Sequence, residues 1–204
     1  NCGYDLSGDM LRRFYGEIVP RVPQRDDGLR WIDQWKYLPA DYPFPGNEST
    51  LLQWAVAYVP RACLRDSEQC RVHVNYHGCT SNPPNSSASA WAERLVWVRS
   101  IDINTYAESN NIIVLYPQAA GSPSAGEGCF NWASYEDDPL FDTRSGVQLR
   151  TVDAMVNDLA NALLNSTRVG GEWLSAASLE ARSLKRPAEA RGGLAAGVPK
   201  GAQE

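Results

Sequence analysis

Residues 70–79 read CRVHVNYHGC, and this segment decides the fold because it holds both histidines of the chain and two of its five cysteines. Val72, Val74 and Tyr76 alternate with His73, Asn75 and His77. That is the period of a strand with one apolar and one polar face. Gly78 then frees the backbone at the strand's end. α/β folds place catalytic loops at such ends, and a backbone N–H there can be turned toward a developing oxyanion.

Working outward, residues 52–59 read as a strand stopped by Pro60, expected to pair with the 70–77 strand as a hairpin. Downstream, a Ser/Asn/Pro loop over 80–90 leads into a helical stretch over 91–109. A continuous apolar strand, Ile112 to Tyr116, follows and ends at Pro117. Strand, helix, strand predicts a right-handed parallel crossover. Residues 118–143 form a long Gly- and Pro-bearing connection of the kind that carries function. A helix then presents Val152, Val156, Leu159 and Leu163, with Leu149 and Met155 beside them, as a stripe suited to packing on a sheet.

At the start of the chain, Asp5 caps a helix in which Leu6, Met10 and Phe14 recur at i, i+4 and i+8, and Gly16 ends it. Residues 19–45 read as a loop-rich passage with a short helix over 28–35. Residues 1–165 are expected to form one α/β domain. Residues 166–204, where Ala, Gly, Arg and Glu accumulate and aromatics nearly vanish, read as a low-complexity, disordered tail.

With 204 residues, 43% hydrophobic content and seven tryptophans, the chain can bury one sizeable core. A formal net charge of −5, with no basic run interleaved with aromatics, argues against a nucleic-acid partner. No apolar run is long enough to span a bilayer, so no membrane partner is expected. The chain starts at Asn1 without a leader, which predicts a processed product or a stretch of something longer.

Cys2, Cys63, Cys70, Cys79 and Cys129 form no CxxC, which argues against zinc or a thioredoxin-like motif. Disulfides fit better. Cys63 and Cys70 bracket a polar connection, Cys79 and Cys129 both fall near the candidate site, and Cys2 is left without a mate. Sequons at Asn47, Asn85 and Asn165 agree with an extracellular, secreted protein, as do disulfides.

His73 and His77, four apart on a strand, lie two pleats from one another, which weighs against shared metal ligation. No metal and no cofactor is expected. His73 reads as a satisfied structural histidine; His77, at the strand end, reads as a positioning group or general base. A serine nucleophile on a tight turn needs flanking glycines, and no GxSxG occurs. Ser175 has neither glycine, and no histidine follows residue 77, so a complete triad is not expected. Cys79 as a nucleophile beside His77 is weaker than a Cys79–Cys129 disulfide. Trp132, with Phe130 and Tyr135 in GCFNWASY, is placed by that loop either as core or as a contact for a hydrophobic substrate.

The segments CRVHVNYHGC, YAESNNIIVLYPQA, GCFNWASY and SGVQLRTVDAMV, in this order, resemble secreted poly(3-hydroxybutyrate) depolymerases and related esterases of the α/β-hydrolase fold. NCGYDLSGDMLRRFYG ahead of them is similar to the circularly permuted branch of that family. The resemblance covers residues 1–164. It implies a partial α/β-hydrolase, a mostly parallel sheet with flanking helices, lacking the nucleophile-bearing part, because that branch carries its serine, aspartate and histidine upstream of the segment matching NCGYD. It also implies an oxyanion hole at His77, Gly78 and Cys79, with the Cys79 backbone N–H as a donor, and substrate binding by Trp132, Phe130 and Tyr135. Thr80-Ser81, Phe130 and Ala133 depart from the family pattern and put the substrate in doubt.

The expected function is therefore that of the C-terminal part of a secreted serine esterase acting on polyhydroxyalkanoate or a smaller ester. The alternative is a non-catalytic polymer- or glycan-binding module derived from that fold. A sheet lacking its nucleophile strands would leave apolar faces uncovered, which predicts poor autonomous stability.

Overall fold

A computed structural model describes residues 3–41, 51–64, 70–79, 95–120, 128–132, 138–164 and 174–175, the side chains of 161–164 and 174–175 left aside. Among these residues five strands form one sheet: β1 (Leu29–Asp33), β2 (Trp54–Tyr58), β3 (Arg71–Val74), β4 (Ile112–Tyr116) and β5 (Leu174–Ser175). Their order is β3-β4-β2-β1-β5. Helices α1 (Leu6–Tyr15), α2 (Ile103–Asn110) and α3 (Val147–Leu164) pack on it.

β4 is central because all five of its residues are apolar and buried, so both of its faces can be covered. On one face Ile112, Val114 and Tyr116 join Val56, Tyr58 and Trp31 beneath α1, α2 and the helical residues 95–100. On the other, Ile113 and Leu115 join Ala55, Ala57 and Ile32 against Val152, Met155 and Leu159 of α3. The period of two along each strand thus sorts one sequence into two cores, and the result is a three-layer α/β arrangement. Of the α3 stripe, Val152, Met155 and Leu159 are buried with Val156 packed against them, as the spacing predicts, whereas Leu149 is exposed, Thr151 is buried, and the Leu163 side chain lies outside the described residues.

β3 and β4 are parallel, in the register His73↔Val114, and the chain between them contains helical residues 95–100 and α2. That is the expected crossover. The helix expected over 91–109 is interrupted: Asp102 adopts φ 61, and the freed Ile101 carbonyl accepts from the Ser7 hydroxyl of α1. Three other expectations are corrected. The short helix expected over 28–35 is instead strand β1 (Leu29–Asp33) between two 3-10 turns, 26–28 and 34–37, because Leu29, Trp31 and Ile32 are drawn into the sheet by β2 in the register Trp31↔Val56. β2 and β3 do not form a hairpin, since β4 lies between them. The sheet is not mostly parallel: β1–β2, β2–β4 and β1–β5 are antiparallel. Apolar patterning reports burial but not strand direction, which here follows from β2 pairing with strands distant in sequence.

α1 forms where its caps predict, with the Asp5 side chain accepting from Gly8 N–H at 3.0 Å and Gly16 closing the end at φ 79. Its buried face is different from the Leu6, Met10, Phe14 stripe. Leu11 and Gly8 are the buried residues, whereas Leu6 and Phe14 are two-thirds exposed. Leu174–Ser175 fall within the stretch read as a tail and extend the sheet beside β1. Cys2 and the sequons at Asn47, Asn85 and Asn165 lie outside the described residues.

Candidate functional site

The chain leaves the ordered ladder of β3 through Asn75, whose N–H donates to Leu115 O at 2.9 Å, and runs exposed through Gly78 and Cys79. His77 is buried between them. Ala119 N–H donates to its Nε2 at 3.1 Å, which makes that nitrogen the acceptor. The neutral ring then carries its proton on Nδ1, 2.8 Å from Gly78 O, and donates to it. Both ring nitrogens therefore engage backbone groups, so His77 holds backbone rather than serving as a base. Gly78 O and Cys79 N–H belong to one planar peptide unit, so the imidazole that holds the carbonyl also sets the direction of the amide.

Cys79 is bonded to Cys129, and Cys63 to Cys70, which joins the four candidate cysteines in the favoured pairs. The Cys79–Cys129 bond carries the aromatic loop to the strand end. Phe130 packs its ring 5.0 Å from Tyr76, edge to face, and 4.8 Å from His77. Trp132 is 66% exposed, and its backbone is three residues, about 11 Å at most, from Cys129. Asn131 N–H donates to Gln148 Oε1 at 2.8 Å, tying the loop to the first turn of α3, where Asp138 Oδ2 accepts from Val147 N–H. Tyr135 lies outside the described residues.

His73 packs against α1. It lies buried beneath α1, its Nδ1 3.1 Å from the Tyr15 hydroxyl and its ring 5.9 Å from that of Phe14, and burial lowers its pKa from 6.5. What reads as a polar strand face is thus a covered one. Burial also raises the Tyr76 phenol. Ser175 stands on β5, four strand spacings or about 19 Å across the sheet from β3, away from His77. Among the described residues no group of three His, Cys, Asp or Glu could hold a metal. The glycines with positive φ among them are Gly3, Gly16 and Gly128; Gly78 is not one of them, so the freedom expected of it is not called on.

Sequence reasoning missed several contributors. Tyr76 was legible only as an apolar strand residue, yet it is half-exposed and backs Phe130. Gln148, Ala119 and Gln34 carried no local signal, because their partners are 17, 42 and 84 residues away.

No protein-family profile matches the chain. It is 29% identical over 176 residues to a poly(3-hydroxybutyrate) depolymerase of Delftia acidovorans, an alignment covering 82% of this chain and 31% of that protein. It is 27% identical over 174 residues to a polyhydroxybutyrate depolymerase of Talaromyces funiculosus, covering 79% and 46%. Two solved structures share the fold. One is a PHB depolymerase complexed with R3HB trimer, with TM-score 0.59 and 24% identity. The other is the PHB depolymerase of Penicillium funiculosum, with TM-score 0.57 and 23% identity. Each match covers 79% of this chain and 49% of the other. The chain thus spans less than half the length of the relatives it matches. In sequence and in fold it is similar to the polyhydroxybutyrate depolymerases, over 79% to 82% of its own length.

Proposed function

We propose that this chain is part of a secreted serine esterase that hydrolyses ester bonds of polyhydroxyalkanoates such as poly(3-hydroxybutyrate). It supplies the oxyanion strand and the substrate-binding aromatic loop of a partial α/β-hydrolase sheet. The observation that carries this reading is the Gly78–Cys79 peptide, held by His77 through Gly78 O at an exposed strand end and joined by a disulfide to the loop of Phe130 and exposed Trp132.

In this reading a serine hydroxyl attacks the ester carbonyl, charge develops on the carbonyl oxygen, and Cys79 N–H donates to it. The alcohol leaves, and water then hydrolyses the acyl-enzyme. Trp132 contacts the polymer, with Phe130 holding the loop against Tyr76 and Tyr135 following in the same loop. The serine, acid and base histidine come from residues outside this sequence. Its two histidines are engaged, His73 with Tyr15 and His77 with backbone. Two disulfides agree with an oxidising, extracellular setting.

The experiment is hydrolysis of poly(3-hydroxybutyrate) film and of a soluble butyrate ester by the expressed protein that carries this sequence. Ester cleavage with covalent labelling by a fluorophosphonate is expected. Polymer binding without cleavage or labelling would replace this reading with that of a non-catalytic binding module.

A further inference from the structure

Gln34 is fully buried at the 3-10 turn that follows β1, the strand three places from β3 in the sheet. Its Nε2 donates to Leu52 O at 2.6 Å and to Gln118 O at 3.0 Å, and its Oε1 accepts from Gln118 N–H at 3.1 Å. Leu52 N–H donates to the same Gln118 carbonyl at 2.9 Å. Gln118 O and Ala119 N–H are the two ends of one peptide unit. Because that unit is planar and trans, fixing its carbonyl fixes where its N–H points, and it points at His77 Nε2, 3.1 Å away. The imidazole repeats the step: Nδ1–H holds Gly78 O, the far end of the peptide unit whose N–H belongs to Cys79.

We infer that Gln34 is a positioning residue for the Cys79 amide, acting through the Gln118–Ala119 peptide, the His77 ring and the Gly78–Cys79 peptide. The inference rests on the proposed role of Cys79 N–H as oxyanion donor. A buried side-chain amide is the suitable group for the first place in this series. It offers donors and an acceptor together, so it grips both Gln118 O and Gln118 N–H, which an apolar side chain of the same size cannot do. The Ala119 N–H then selects the His77 tautomer, since an imidazole proton on Nε2 would face another donor. Hydrogen bonds in series also polarise one another, which makes the terminal N–H a stronger donor.

The test is Gln34→Leu, with Asn104→Ala as a control that removes a buried amide bonded to Tyr116 and Val98 instead. Nitrogen-15 spectra of His77 are expected to show a single Nδ1–H tautomer in the native protein and the control, and a mixture in Gln34→Leu. Ala119 amide exchange is expected to accelerate about tenfold or more in Gln34→Leu beyond what the loss of global stability explains. In the same variant kcat on a soluble butyrate ester should fall about 10- to 100-fold with KM little changed, less than the two to three powers of ten for losing a donor outright. An unchanged His77 tautomer and unchanged Ala119 exchange in folded Gln34→Leu would overturn the inference. So would a full His77 response with native kcat. Absence of ester hydrolysis in the native protein, with the spectral response present, would instead overturn the role of Cys79 and leave the bonded series standing. If Gln34→Leu does not fold, Gln34→Glu is read in the same way, and native-state exchange of the unaltered protein decides without a variant. There Gln34 Nε2–H2 and Ala119 N–H should open together, and independent opening would count against the proposal.

Discussion

Cys79 and Cys129 are bonded across a sequence separation of 50, so the residue at the end of the β3 segment also anchors the loop that carries Phe130 and Trp132. Removing this bond by Cys79→Ser with Cys129→Ser releases a long loop in the unfolded chain and should cost about 4 kcal/mol. Removing Cys63–Cys70, separated by 7, should cost about 2 kcal/mol. Denaturant unfolding of the two double variants checks the order. Equal losses would show that loop length does not govern them.

Phe130 and Trp132 should separate structure from binding. Phe130 packs on Tyr76 and His77, so Phe130→Ala is expected to cost about 3 kcal/mol or more. Trp132 is largely exposed, so Trp132→Ala should stay within about 0.5 kcal/mol in stability while weakening adsorption to poly(3-hydroxybutyrate). Thermal melts and a polymer pull-down on each variant provide the comparison.

His73 sets a pH dependence of stability. Its folded pKa lies below the ordinary 6.5, so as pH falls below that value the unfolded chain takes up a proton that the buried ring resists. Its effect on stability is therefore absent above about pH 6.5 and grows as pH falls from there toward the folded pKa. His73→Gln should flatten the curve of unfolding free energy in that acidic window. A slope unchanged by the substitution would assign it to other groups.

Tyr58 joins the sheet to α2: its hydroxyl donates to Glu108 Oε2 at 2.7 Å and accepts from Arg25 N–H at 2.9 Å. Burial raises its pKa far above the ordinary phenol. Tyr58→Phe removes both bonds and should cost about 1–3 kcal/mol. Glu108→Gln, which keeps the acceptor, should cost less than Tyr58→Phe in chemical denaturation.

On α1, Leu11→Ala should cost about 2–5 kcal/mol and Leu6→Ala well under 1 kcal/mol. Leu11 is fully buried against the sheet, and Leu6 is 67% exposed. Paired melts of the two variants test which face the helix buries.

That contrast shows where sequence reading stops. The caps Asp5 and Gly16 located α1 because capping is local, but Leu6, Met10 and Phe14 and the pair Gly8 and Leu11 are both admissible helical faces. Which one is buried depends on Tyr106, Ile101 and the sheet beneath. Leu29–Asp33 illustrates the same limit. Five residues with turns on both sides are too short to choose between helix and strand, and pairing with β2 decides. At the site, alternation and the HGC motif located the strand end, the resemblance named Cys79 and Trp132, and the expected nearness of Cys79 and Cys129 to that end made them a candidate pair, which the structure bonds.

The sequence by itself determined the buried strand Ile112–Tyr116, the parallel crossover that leads into it, the long helix after Gly146 and the candidate disulfide cysteines Cys63, Cys70, Cys79 and Cys129. Each is written in a local period, a cap or a spacing. Only the tertiary structure decided that β2 runs antiparallel between β4 and β1, that His73 is covered by α1, and that Gln34, Ala119 and His77 hold the Cys79 peptide. Those relations join backbone and side-chain groups whose hydrogen bonds can be satisfied in many ways along an isolated chain, and in one way once the sheet has brought them together.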